Sequence, residues 1–452
     1  MAFAYALLVG LLVQLAILPY LLPQWHAGSG LLESGDWLMR HARAAEMAAR
    51  VRTQGWSAWR LVPEGDGSVG IAAAIYALTT PKPWTLLPIN AALHATATLA
   101  LVLILTPLLG SRRRAAISSL PFLLCPTALL WTTQILKDSY SVAGFMLFLL
   151  GWVRLTSLAL WHNLHLRKLV TPLVAIVTGG FLMGLVRAYM LQMLQMATAC
   201  LAAPLVLVLL WQRIRARLRW SSVVTGAVAL AGAVLILSAG TQLGGSAVSW
   251  ESSSLEGVKP EIPAPESPLP SVSFRWTPSS FLPRPADLAL KALARERQAW
   301  RVLFGGAASN MDENVGFESA GDVLAYAPRA LQVALLAPFP SQWRAPGAST
   351  VATFFRRENA AEMVVIYVLL AFLPAAIWRW RQRVELWVLL LLCLGMLLAF
   401  GESTINLGTL HRIRYPYLMT LACLGLGGGL TLLRGLRSAK GRERRAPRPR
   451  AP

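Results

Sequence analysis

The feature that most constrains this chain is a series of apolar runs, each long enough to cross about 30 Å of hydrocarbon. Ten stand out, at 3–22, 84–110, 116–136, 140–161, 169–188, 190–211, 221–240, 361–378, 384–400 and 415–433. Charged residues make up 14% of the chain and hydrophobic ones 56%, with a mean hydropathy of +0.53, which excludes a soluble globular fold. The expected fold is an all-α polytopic membrane protein of about ten transmembrane helices, in a range of nine to twelve. A shorter apolar piece at 69–80 is too brief to span and is expected to dip into the interface. Four regions follow: a membrane module at 1–240 whose first external loop covers 24–82, an external linker and helical cap at 241–360, C-terminal spans at 361–433, and a basic tail at 434–452.

A net charge of +21 raises the question of nucleic acid, and its distribution answers it. Arg112–Arg114, Arg154, Arg167, Lys168, the row Arg213/Arg215/Arg217/Arg219, Arg379/Arg381/Arg383 and the tail from Arg434 to Arg450 hold 21 basic residues, with only Glu385 and Glu443 among them. These segments fall on one side of the ten-span topology. The loop at 24–69 has five acidic and five basic residues, and the loop at 242–360 has eleven of each. This asymmetry predicts a multi-pass protein of the cytoplasmic (inner) membrane, with both termini cytoplasmic and both large loops external. Nucleic acid is not an expected partner; the tail is expected to lie against membrane lipid. The first run lacks a charged leader and a small-residue cleavage site, so it reads as a retained span. Cys125, Cys200, Cys393 and Cys423 lie in or near spans, which argues against a disulfide framework or a cysteine metal site.

The first external loop carries Gly35-Asp36-Trp37, with Glu33, Arg40, His41 and Glu46 around it, then Trp56, Trp59, Glu64 and Asp66. The stretch from Leu32 to Trp59 has helical character, with Trp37, His41, Ala44, Ala45 and Ala48 on one face, and predicts an interfacial helix. Asp36 reads either as the N-cap of that helix or as a reactive carboxylate, and the two roles are compatible. In the second span Asn90 and His94 are one turn apart; a helix–helix hydrogen bond and a sugar-orienting role are both open to His94. Lys137-Asp138 at the junction of two spans is either a local ion pair or an anionic-headgroup contact. Arg187 is either a snorkelling residue or a ligand. His411, Arg412 and Arg414, in an expected external turn at 402–414, read as interfacial anchors or as an anion site suited to phosphate oxygens.

Between the two groups of spans, 246–285 is Ser/Pro/Glu-rich and predicts an extended linker, whereas 285–304 and 320–336 predict helices of an external cap. Asp312-Glu313-Asn314 between them reads as a solvated turn or as a metal or sugar contact.

No Walker A loop, dinucleotide fingerprint, zincin helix or nucleophile elbow is present, which argues against an ATP-driven pump. An external carboxylate loop with external cations suits transfer from a lipid phosphate carrier. There a carboxylate accepts the proton of the attacking hydroxyl, and Arg or Lys stabilises the departing phosphate.

Gly35-Asp36-Trp37 after a first span, the run from Ala44-Ala45 to Gly55-Trp56, Gly70 to Tyr76, Pro83, Asn90 and the junction Leu136-Lys137-Asp138-Ser139 together resemble the C-type integral-membrane glycosyltransferases. The likeness is to the bacterial protein O-mannosyltransferase and lipid A aminoarabinose transferase type, and covers about the N-terminal third with some order. It implies a polyprenyl-phosphate-linked sugar as donor and an envelope glycan, lipid or protein as acceptor. It also implies Asp36 as base or metal ligand, with Glu33 and Glu46 as substitutes. Lys137, Arg187, Arg412 and Arg414 would bind the carrier phosphate, and His94 or His41 would orient the sugar. Trp37 directly follows Asp36 where several branches have a second acid, so no metal ligand set is assigned. A divalent cation, magnesium or manganese, is an open cofactor rather than a required one. Two other classes compete: an envelope polysaccharide polymerase or ligase relying on external arginines, and a non-enzymatic transporter or assembly subunit for lipid-linked glycans.

Overall fold

In the computed structural model the chain is built from helices, and the structure describes residues 1–33, 35–159, 166–215, 274–347 and 350–443. The expected span at 221–240, most of the Ser/Pro/Glu-rich linker and the end of the basic tail lie outside these residues.

Helix α1 (Ala2–Leu12) continues through a wider-wound segment, Val13–Leu21, where Pro19 removes a backbone donor. Helix α2 (Asp36–Gln54) follows. It buries Arg40, Ala44, Met47, Ala48 and Val51 along one stripe, and carries Asp36 in its first turn and Arg52 in its last, each favourable to the helix dipole. Its apolar face meets Val69, Ala72, Ala73 and Tyr76 of α3 (Gly67–Leu78), with Leu31, Leu86 and Ile135 closing the cluster. The piece expected to lie at the interface is therefore a helix packed on α2.

Helix α4 (Leu87–Leu109) ends at Gly110, whose φ of +64° is a left-handed stop suited to glycine. The expected span at 116–136 is not one helix. Pro121 and Pro126 divide it into α5 (Arg112–Ser118), α6 (Leu120–Leu124) and α7 (Pro126–Thr132), because each ring clashes with the preceding turn and offers no N–H. Helices α8 (Asp138–Ala159), α9 (Leu166–Val186) and α10 (Ala188–Ile214) follow. Beyond the linker come α11 (Arg284–Leu303), α12 (Ala320–Leu336), α13 (Thr350–Ala371), α14 (Leu373–Trp380), α15 (Val384–Ser403) and α16 (Leu407–Glu443).

Among the described residues, seven helical segments are long and apolar enough to cross a membrane: Ala2–Leu21, Pro83–Leu109, Asp138–Leu158, Arg167–Val186, Thr350–Trp380, Val384–Ser403 and Leu407–Arg434. Two of them start earlier than the sequence suggested. The segment expected to begin at 361 begins at Thr350, and the one expected at 415 begins at Leu407. In both, polar residues that read as loop are helical because their side chains find partners inside the bundle.

The core is formed by α8, enclosed by α4, α9, α15 and α16, with Phe145, Phe148 and Trp152 fully buried. Helices α11 and α12 occupy the two stretches that the sequence predicts as helices, 285–304 and 320–336. Phe274, Leu290, Ala294, Phe317, Val323 and Tyr326 pack between them, and α12 starts with a capping box of Ser319 and Asp322. Arg297, only 1% exposed, lies over the rings of Phe317 and Tyr326 and donates to the carbonyls of Asp312, Val315 and Glu402. That last bond pins the cap to the end of α15. Asp312 accepts from Arg329 and Tyr326, and Glu313 from Gly306 and Asn310, so both acids hold the cap's own turn together.

Candidate functional site

The site is built around a break in the helices. Between α7 and α8, residues 133–137 leave the helices, and buried side-chain amides hold this break in place. Gln14 donates to the Thr133 carbonyl, Asn90 donates to the Thr132 carbonyl at 2.8 Å, and Gln134 accepts from the Leu32 N–H at 3.1 Å. The Trp37 indole donates to the Leu32 carbonyl at 2.7 Å, which ties the Gly35-Asp36 turn to the same point. Lys137 and Asp138 are thereby fixed beside the start of α2.

Around this break an alternating set of charges closes. The Arg40 Nη1 lies 2.5 Å from Asp36 Oδ2 and its Nε lies 2.9 Å from Asp66 Oδ2. Asp66 also faces Lys137 Nζ at 3.3 Å and caps α3 by accepting from the Ser68 N–H. Arg187, at the α9–α10 corner, donates to Asp138 at 2.9 Å and to Ser141 at 3.2 Å. From the other end of the chain, Arg412 Nη1 reaches Asp36 Oδ1 at 3.2 Å. Four cations and three carboxylates thus leave the group with a net positive charge and spare guanidinium donors.

Asp36, Arg412 and Lys137 are the members that solvent or ligand reaches most, with 28%, 20% and 20% of their side chains exposed. Burial alone would raise the Asp36 pKa, but Arg412 and Arg40 outweigh it and hold the carboxyl far below the usual range. Burial likewise opposes ionisation of Asp66, and Lys137 and Arg40 again reverse the balance. Lys137 goes the other way. Burial, with Arg40 and Arg187 nearby, pushes its ammonium below the ordinary lysine value despite Asp66.

Of the residues expected at the site, Asp36, Lys137, Arg187 and Arg412 come together. Glu33 and Glu46 do not: both are exposed, and Glu46 has only a 3.9 Å approach to Arg50 within α2. His41 pairs with the Tyr76 hydroxyl at 3.0 Å in the α2–α3 contact. His94 is buried against Phe122 and donates to the Leu123 carbonyl at 3.2 Å, yet it also lines a small cavity with Trp131, Asp138 and Tyr415. The expected trio on α16 is split, because successive helical positions point about 100° apart. Only Arg412 faces the charged group. Arg414 is 0% exposed and donates to the Val333 and Ala334 carbonyls at the end of α12, at 3.3 and 3.0 Å. Its guanidinium is taken up by these helix carbonyls, of which Val333 also accepts the Ala337 N–H, and is closed to a phosphate. His411 accepts from Arg414 and faces Glu362 at 3.6 Å, while Glu362 accepts from the Thr127 N–H.

Arg40 and Asp66 join the site without having been expected there. The four-residue spacing of Asp36 and Arg40 is a visible helical pairing signal; nothing in the sequence brings Asp66 to Lys137. Each of the three aspartates is turned to a guanidinium or an ammonium, so they do not form the converging oxygen shell that a divalent cation takes. Among the described residues no three His, Cys, Asp or Glu side chains are grouped to hold a metal ion. Comparison with known proteins gives no family model, no curated protein and no solved structure that matches this chain.

Proposed function

We propose that the chain is a membrane glycosyltransferase that moves a sugar from a polyprenyl-phosphate carrier to a hydroxyl of an envelope glycan, lipid or protein. The observation that carries this reading is the convergence of Asp36, Asp66 and Asp138 with Arg40, Lys137, Arg187 and Arg412 where several apolar spans end. With the arginine-rich ends cytoplasmic, as the charge asymmetry favours, this group faces the opposite side of the inner membrane.

The chemistry follows from the pairing. In the resting site Arg412 is held by Asp36. A phosphodiester offers better charge-assisted acceptors and competes for the exposed guanidinium. Losing Arg412 makes Asp36 more basic just as the donor arrives. Asp36 then takes the proton of the acceptor hydroxyl; that oxygen bonds to the anomeric carbon, and the bond from this carbon to the phosphate oxygen breaks. The electron pair leaves with the carrier phosphate, whose charge grows by one, and Arg412 and Lys137 neutralise it. Sugar transfer by purified protein in liposomes, from a panel of polyprenyl-phosphate sugars, tests the reading: Asp36→Asn must abolish transfer without unfolding.

A second reading has an observation of its own. Two guanidiniums on Asp36 weaken it as a base, which favours a polymerase or ligase that works through its arginines. Retained transfer in Asp36→Asn with loss in Arg412→Ala would select that version.

A further inference from the structure

At the opposite end of the bundle, three arginines share one recess with no carboxylate in its wall. Arg113 and Arg114 of α5 and Arg434 of α16 line it together with Ser111 and Ile117, around a volume of about 400 Å³, enough for a phosphodiester headgroup. None of the three has an ion-pair or hydrogen-bond partner among the described residues. This contrasts with Arg383 nearby, which has Glu385 at 3.5 Å.

The recess is built by helix packing. The left-handed turn at Gly110 folds α5 back across the end of α4. Helix α16 approaches closely because it carries glycines where the neighbours touch: a Cβ at Gly427 would lie 3.1 Å from Leu109 and 3.4 Å from Ser118, and one at Gly428 would lie 2.8 Å from the Ala376 Cβ. Arg434 follows Gly427 by two helical turns on the same face, which carries it to Arg113 and Arg114. The packing that closes the bundle therefore forces three like charges around one space, at a repulsive cost that an anion relieves.

The level of the recess identifies the anion. It lies where the spans Pro83–Leu109 and Leu407–Arg434 both end, the depth of lipid headgroups. Trp378 and Trp387, 70% and 52% exposed, mark the same interface on neighbouring helices, and Ile117 gives the wall an apolar floor. We infer that Arg113, Arg114 and Arg434 form a binding site for the phosphodiester headgroup of an anionic glycerophospholipid of the surrounding membrane. The site is independent of the transfer chemistry at the other end.

The test uses the full chain, purified in detergent, with its melting temperature followed as phosphatidylglycerol, phosphatidylcholine or inorganic phosphate is added at matched concentrations. Lipid retained in native mass spectrometry gives a second readout. The expected result is at least a fivefold preference for phosphatidylglycerol over phosphatidylcholine, lost in an Arg113→Ala/Arg114→Ala/Arg434→Ala variant that melts like wild type in phosphatidylcholine. If that variant fails to fold, Arg434→Gln alone must reduce the preference. Equal retention of the two lipids, or a preference that survives in the folded variant, overturns the proposal. An equal shift with inorganic phosphate overturns the lipid assignment and leaves a free-anion site.

Discussion

Arg412 and Asp36 are 376 positions apart in the chain and 3.2 Å apart in space. One is at the start of the last long helix, the other at the start of the first extramembrane helix, so the contact closes the site. Both are partly open, and in the proposed mechanism exchange of this ion pair for a phosphate is the event on which transfer depends. Arg412→Ala is expected to lower kcat/KM by about 10²-fold or more, the scale of a lost charge-assisted contact in the transition state. Asp36→Asn is expected to lower kcat by about 10²–10⁴-fold, the usual range for a removed general base. Steady-state transfer assays in liposomes separate the two effects.

Arg414, two positions further along, gives the opposite pattern. Its guanidinium is buried and donates to the Val333 and Ala334 carbonyls in the last turn of α12, so Arg414→Ala should destabilise the protein by about 3 kcal/mol, the scale of two bonds from a charged donor. Thermal unfolding should show a clear drop for Arg414→Ala and little change for Arg412→Ala. A reversed order would show that Arg412, not Arg414, holds the fold.

The depressed carboxyls set the acid limit of the fold. A group whose folded pKa is lowered adds stability that is complete above its unfolded value, near 4, and is lost as pH falls through the folded value. Asp36 and Asp66 are both such groups. Melting temperature is therefore expected to hold steady from pH 7 to about 5 and to fall below about 4. In Asp66→Asn the starting value should be lower and the acid-induced fall smaller.

If the proposed function holds, Lys137 sets the alkaline limit of donor binding. Its ammonium is held below the ordinary lysine range, so its charge is lost as pH rises through that lowered value. Donor affinity should weaken there, and Lys137→Arg, which stays charged, should flatten the profile. Lipid-linked donor titrations between pH 7 and 10 measure it.

Long elements were legible because their cause is local. The apolar runs mark most spans, the stripe through Ala44 and Ala48 marks α2, and the Ser319 box fits the start of α12. The site was half legible. Asp36, Lys137, Arg187 and Arg412 stand out as charges beside apolar runs, and any such charge needs a partner. Which partner each takes is tertiary information: Asp66 meets Lys137 because α3 packs on α2, and Arg414 turns to α12 because that cap helix ends above it. The helical onset at Thr350 was hidden because Arg356, Arg357 and Glu358 read as part of the external loop that was expected to run to 360.

The bond from Arg414 to the end of α12 also bears on how the chain assembles. A lone arginine near the bilayer costs about 3 kcal/mol to insert, and the Ala334 carbonyl in the last turn of α12 takes its side-chain donor from Arg414. Each half is unfinished alone and mends the other. The last span is therefore expected to stay short of its final depth until the cap has folded above it, which makes cap docking a late checkpoint in the biogenesis of the bundle.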